Sequence, residues 1–86
     1  MKTVKTLLNA TTNKTLGNHS VKISAHGYRY FKYHDTTICY VDDESRRFVV
    51  DHGGWYTQST SRAINSYIRE LTNSGYTLTK VDGKEV

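Results

Sequence analysis

The chain has 86 residues, a single cysteine and 36% apolar residues. That length allows one domain, residues 1–86, with a modest core; one cysteine excludes an internal disulfide, and no apolar run approaches the roughly 18 residues of a membrane span. Twelve Lys and Arg against eight Asp and Glu give a net charge of +4 and a pI near 9.3, which suits attraction to nucleic acid or to an acidic protein face.

Seven Tyr, two Phe and one Trp supply the large side chains that a low aliphatic content withholds, so the composition is that of a folded domain leaning on aromatics. Cys39 lies in an apolar run and reads as a small buried hydrophobe in a reducing compartment. No signal-peptide core follows Met1-Lys2, which makes the expected location cytoplasmic.

Residues 1–18 are rich in Thr, Asn and Lys around Val4, Leu7 and Leu8. The spacing of those three fits one helical turn, whereas the Thr and Asn density fits an irregular or flexible N-terminal arm or an edge strand. From His19 to His52 the pattern changes to short β-prone runs separated by turn residues. Val21 to Ala25, Tyr28 to Tyr33, Thr36 to Val41 and Arg46 to Asp51 are four expected strands, with turns at His26-Gly27 and His34-Asp35 and a polar loop at Asp42 to Ser45.

If both dipeptides are two-residue hairpin loops, the register follows. Ile23 then opposes Tyr30, Tyr30 opposes Cys39, Tyr28 opposes Val41, and Val41 opposes Phe48. This puts Val21, Ile23, Ala25, Tyr28, Tyr30, Cys39, Val41, Phe48 and Val50 on a core face. The other face collects Lys22, Ser24, Arg29, Phe31, Tyr33, Ile38, Tyr40, Arg47 and Val49, and one helix cannot cover both sides of a sheet.

The segment Asp51 to Asn65 holds the only Trp and the only Gly-Gly of the chain, at the passage from strand to helix. Ala63, Ile64, Tyr67, Ile68 and Leu71 form one apolar stripe of an amphipathic helix over about 60–73. Ser59 or Thr60 is the expected N-cap and Gly75 the left-handed terminator, and Trp55 is expected to plug the space beneath the helix. Tyr76 to Val81 alternates as a strand able to rejoin the sheet, followed by a turn at Asp82-Gly83. The expected fold is therefore α+β, a four- to five-stranded antiparallel sheet with one amphipathic helix packed on one face.

His19, His26, His34 and His52 have no close partner at ligand spacing and no second cysteine, so neither a metal nor another cofactor is expected. Asp51-His52 beside Ser59, Thr60 and Ser61 has the residue types of a nucleophile with its base, but the hydroxyls are accounted for by helix capping, and an 86-residue sheet with one helix leaves little room to bury a substrate. Gly53-Gly54 lacks the spacing of a phosphate loop, and Asp42-Asp43-Glu44 lacks that of a calcium loop. The chain therefore reads as a non-enzymatic protein.

The corner carries a resemblance. Gly53-Gly54-Trp55-Tyr56-Thr57, then Ser59-Thr60, then Arg62-Ala63-Ile64-Asn65 resembles the Gly-Trp-x-Thr-x-Thr-Thr-…-Arg-Ile-Asn pattern of a family of small tailed-phage proteins. In that family the pattern follows a hairpin of the kind read here at Tyr33 to Cys39. Ser59 stands where Thr is common, and Ala63 separates Arg62 from Ile64-Asn65. The resemblance spans residues 19 to 76 and implies a phage or prophage origin and a small α+β fold, with no reaction attached. It leads to the expectation of a phage-type accessory protein that binds and inhibits a host protein, such as a CRISPR nuclease or another immune effector.

The expected partner-binding residues are Lys22, Arg29, Phe31, Tyr33, Tyr40 and Arg47, on the basic and aromatic face. The alternative expectation is a nucleic-acid-binding module using that face, because aromatics interleaved with cations on a sheet can stack bases and neutralise phosphates. A homodimer that covers one apolar face is the third arrangement this pattern allows.

Overall fold

A computed structural model describes residues 1–86. The chain folds as α+β, with two helices and a seven-stranded sheet whose strands lie side by side in chain order. Helix α1 (Lys2–Leu8) is followed by strands β1 (Lys14–Leu16), β2 (His19–Ile23), β3 (Tyr28–Tyr33), β4 (Thr36–Asp42) and β5 (Arg47–Val50). Helix α2 (Gln58–Asn73), β6 (Thr77–Val81) and β7 (Lys84–Glu85) complete it. All neighbours pair antiparallel except β5 and β6, which are parallel because α2 carries the chain back to the starting end of the sheet.

The sheet is thus larger than four to five strands, and the added strands come from segments with weak β patterning. β1 and β7 are three and two residues long, so alternation has too few positions in which to show. Residues 2–8 are helical rather than an irregular arm, and Val4 and Leu7 on that helix are fully buried. α1 packs beside α2 and against β1 and β2, so both helices lie on the same side of the sheet.

Strand β3 is turned over relative to the sequence reading. Ile23 pairs with Arg29 and Val21 with Phe31, while the Ser24 N–H donates to the Tyr28 carbonyl at 2.8 Å. The loop inside that bond is Ala25-His26-Gly27, with Gly27 at φ +87, the three-residue hairpin that needs a left-handed last position. One extra loop residue shifts the pairing by one, and a shift of one exchanges the two faces of a strand.

A second irregularity restores the faces on the far side. Lys32 pairs with Thr37 but Phe31 pairs with Cys39, leaving Ile38 as a bulge residue in β4. The His34-Asp35 loop is the expected two-residue one, since Tyr33 pairs with Thr36. The two one-residue displacements cancel, so β2 and the rest of β4 keep the faces the alternation assigned them, β3 is reversed, and Ile38, expected on the open face, is fully buried at the bulge. Val41 opposes Phe48 as expected.

The consequence is a core built from Val21, Phe31, Ile38, Cys39, Val41, Phe48 and Val50 on the sheet, with Val4, Leu7, Ala63, Ile64, Tyr67 and Leu71 on the helices. The Phe31 and Tyr67 ring centroids lie 4.8 Å apart at its centre. Burial pushes the thiol of Cys39 and the phenol of Tyr67 well above their ordinary pKa values, which keeps both neutral.

Helix α2 begins at Gln58, and its N-cap is Thr57 rather than Ser59 or Thr60. Thr57 Oγ1 accepts the Thr60 N–H at 3.3 Å from an extended backbone at φ −88, ψ 160. At the other end Gly75 takes the expected left-handed conformation at φ +91, and the Tyr76 N–H donates back to the Leu71 carbonyl at 3.0 Å. Neither helix is long and apolar enough to cross a membrane.

Candidate functional site

The six residues expected to form one binding face fall on both sides of the sheet. Lys22, Tyr40 and Arg47 lie on the side that carries no helix. Arg29, Phe31 and Tyr33 lie on the helix side, because they belong to the reversed strand β3. Phe31 is fully buried and Tyr33 packs against the core.

Arg29 is a latch rather than an exposed cation. Its guanidinium makes a fork with Asp43, Nε to Oδ2 and Nη2 to Oδ1, both at 2.7 Å. Nη1 donates to the Leu8 carbonyl at 2.9 Å, closing the C-terminal end of α1. The Tyr76 hydroxyl donates to Asp43 Oδ1 at 2.5 Å, and this bond to the carboxylate raises the Tyr76 pKa above its ordinary value. One planar cation thereby ties α1, the β4–β5 loop and the entry to β6.

The reversal brings a different set together on the open side. Through successive cross-strand pairs, Lys22 stands opposite Tyr30, Tyr30 opposite Tyr40, Tyr40 opposite Val49 and Val49 opposite Lys80. Beside this row lie Ser20 with Lys32, and Tyr28 with Asp42 and Arg47. The sequence reading missed Tyr28, Tyr30, Lys32 and Lys80 as members of this face. A signal for them was present: a Phe is buried more readily than a Tyr whose hydroxyl needs a partner, so Phe31 rather than Tyr30 was the better core residue.

The electrostatics of the open side are uneven. Lys22, Lys32, Arg47 and Lys80 face Asp42 and Glu85, and none of these cations takes part in the ion pairs of the protein, which are Arg29–Asp43, His52–Asp82 and Arg69–Glu70. Asp42 is itself engaged: a hydrogen bond from the Ser45 side chain, joined by the Ser45 and Glu44 amides and the charge of Arg47, holds its carboxyl below the usual range. Tyr28 and Tyr40 are 44% and 40% exposed. The Tyr30 and Tyr40 rings meet edge to face, with centroids 5.8 Å apart and planes at 90°.

The corner that passes from β5 to α2 is a second assembly. His52 turns away from Asp51 and toward the β6–β7 turn, its Nδ1 3.0 and 2.9 Å from the two carboxylate oxygens of Asp82. The His52 backbone N–H donates to Asp82 Oδ1 at 2.7 Å, and this bond first, then the one from the ring, holds the Asp82 carboxyl below its ordinary pKa. His52 Nε2 stands 3.4 Å from Ser61 Oγ on the first turns of α2, and the Tyr56 ring stacks on the imidazole at 4.7 Å.

Asp82, His52 and Ser61 therefore form a carboxylate, imidazole and hydroxyl relay in outline. Acyl transfer needs, in addition, free backbone donors aimed at a developing oxyanion. Four of the neighbouring amides are engaged: Gly53 N–H donates to Asp51 Oδ1, Trp55 N–H to the His52 carbonyl, Thr60 N–H to Thr57 Oγ1 and Ser61 N–H to the Thr57 carbonyl, whereas those of Gln58 and Ser59 at the start of α2 have no partner within the protein. The His52 bonds tie the corner to the helix and to the last hairpin. Gly53 is required there, since at φ +61 a methyl group on it would overlap the Thr36 side chain.

Between that corner and the His34-Asp35 turn lies a cleft of about 510 Å³, lined by Tyr33, His34, Asp35, Thr36 and Ile38 on one wall and His52, Trp55, Thr57, Ser59 and Thr60 on the other. Trp55 is not a plug beneath the helix; it is 61% exposed at the cleft, and Tyr56 beside it is 70% exposed. No His, Cys, Asp and Glu residues cluster in a way that could hold a metal ion. Comparison with protein-family models, with curated proteins and with solved structures found no match to this chain.

Proposed function

We propose that this protein is a binding module without a catalytic step, and that the open face of its sheet engages nucleic acid. The observation that carries the reading is the row Lys22, Tyr30, Tyr40, Val49 and Lys80, which crosses the sheet with aromatics at its centre and lysines at its ends. Phosphates attract unpaired cations through release of condensed counterions, and tyrosine rings offer surfaces on which bases lie. A net charge of +4 supports the same partner at longer range, and a free buried thiol at Cys39 suits a cytoplasmic setting.

The test is binding to a labelled oligonucleotide as salt is raised. Affinity is expected to fall steeply between about 50 and 200 mM salt, and Lys22→Ala with Lys80→Ala to flatten that slope by about 1 to 2. No binding at low salt ends the reading. Light scattering on the same sample separates it from a homodimer formed through the open face.

The exposed pair Trp55 and Tyr56 favours a second reading, a host protein as partner, because Trp and Tyr at the rim of a cleft are the side chains that dominate protein interfaces. Together with the resemblance to tailed-phage proteins, it gives a phage accessory protein acting on a host effector such as a CRISPR nuclease. Co-purification of one defined host protein, lost in Trp55→Ala and kept in the double lysine variant, would favour this reading over the first. Equal retention by both variants would discard it.

A further inference from the structure

We infer that the open face selects unpaired nucleic-acid strands, reading bases as well as phosphates, through Tyr30 and Tyr40. This deepens the nucleic-acid reading above and rests on it. The two tyrosines are direct cross-strand neighbours on the adjacent strands β3 and β4, and their rings stand at 90° to each other. Two bases, each lying flat on one of these rings, are therefore perpendicular to one another. Bases in a duplex are parallel and closed off by their own stacking, so a duplex cannot use both rings at once. A flexible single strand can turn one base against the next and unstack to do so.

The surrounding charges fit the same geometry. From Lys22 on β2 to Lys80 on β6 the row crosses four strand spacings, or about 19 Å at the usual separation of neighbouring strands. The ammonium groups stand at either end of the tyrosine pair, where the backbone of a strand lying across the sheet would pass. Val49, between Tyr40 and Lys80, supplies an apolar floor in that row. Asp42 and Glu85 lie off the central pair, one in the neighbouring row and one beyond Lys80, so neither carboxylate stands between the rings and a bound strand.

Fluorescence anisotropy with three probes of equal length and charge per strand tests this: a single-stranded oligonucleotide of about twelve nucleotides, the same strand annealed to its complement, and an abasic strand carrying sugar and phosphate alone. The single strand is expected to bind at least about tenfold tighter than either other probe. Tyr40→Ala and Tyr30→Ala should each weaken it by roughly 5- to 150-fold, the range of one base stacked on one aromatic ring. Tyr40→Phe, which keeps the ring, should bind like the parent, and thermal melting of each variant confirms that the fold is retained. Equal affinity for the single and abasic strands, or for the single strand and the duplex, overturns base reading but leaves phosphate binding standing. Absence of binding to all three probes overturns both.

Discussion

The two faces of the sheet are made by the same strands and differ in what their side chains can satisfy. On the helix side Arg29, in the middle of the sheet, is fully spoken for by Asp43 and the Leu8 carbonyl, and the aromatic ring next to it, Phe31, has no polar atom to satisfy. On the open side Lys22, Lys32 and Lys80 have no carboxylate partner, and Tyr28 and Tyr40 are exposed with Tyr30 half-buried between them. Charge that is paired builds structure, and charge left unpaired remains available to a partner. The corner at His52 is intermediate, a polar brace that holds Trp55 and Tyr56 outward.

The comparison breaks most visibly at Phe31. Truncation to alanine removes a fully buried ring that packs on Tyr67 and should destabilise the fold by about 3–5 kcal/mol. Urea denaturation measures it, and a loss below about 1 kcal/mol would place Phe31 outside the core and restore the alternative register of β3. Tyr30→Ala, one position away on the open side, should cost far less in the same assay.

Arg29→Ala should have the next largest effect, about 2 kcal/mol. Its side chain is 13% exposed and leaves Asp43 behind, and Asp43 is 33% exposed, so water screens part of the loss. Arg29→Lys should recover little of it, because an ammonium cannot reproduce the fork. An Arg29→Ala protein of unchanged urea midpoint but weakened oligonucleotide binding would return Arg29 to the partner surface.

The smallest expected effect is on acid stability. The Asp82 carboxyl is held below its ordinary pKa by the bonds from His52, so the stability it contributes is present above the carboxylate range and is lost as pH falls through the depressed folded-state pKa. Asp82→Asn keeps an acceptor for the His52 N–H but cannot titrate. Its urea midpoint should therefore fall less steeply than the parent's below about pH 4, with Asp42, also depressed, supplying the slope that remains. Identical slopes would mean that the brace does not bear on global unfolding.

Much of the architecture was legible from residue pattern alone. The stripe from Ala63 to Leu71, the left-handed glycine at Gly75, the two-residue turn at His34-Asp35 and the pairing of Val41 with Phe48 all follow from local periodicity and turn chemistry. These are interactions between residues close in the chain, or between strands joined by one short turn. Strands β1 and β7 were hidden because they are too short to alternate, and the spacing of Val4, Leu7 and Leu8 showed α1 only as one alternative to an irregular arm, because so short a helix forms by burying Val4 and Leu7 against the sheet.

The composition of the open face was decided by the tertiary structure. A single loop residue before Tyr28 and a bulge at Ile38 are small local choices, yet they send Arg29 and Phe31 inward and Tyr28 and Tyr30 outward. Alternation says only that neighbours in a strand lie on opposite faces; which set is buried depends on what the helices bring to meet it. Tyr67 meets Phe31, and Asp43 with the end of α1 meets Arg29. The same holds for His52, whose partner Asp82 lies thirty residues away and is brought to it by the parallel return of β6. From the sequence, then, came a basic and aromatic sheet face with a helix on its reverse; long-range packing chose which aromatics and which cations that face presents.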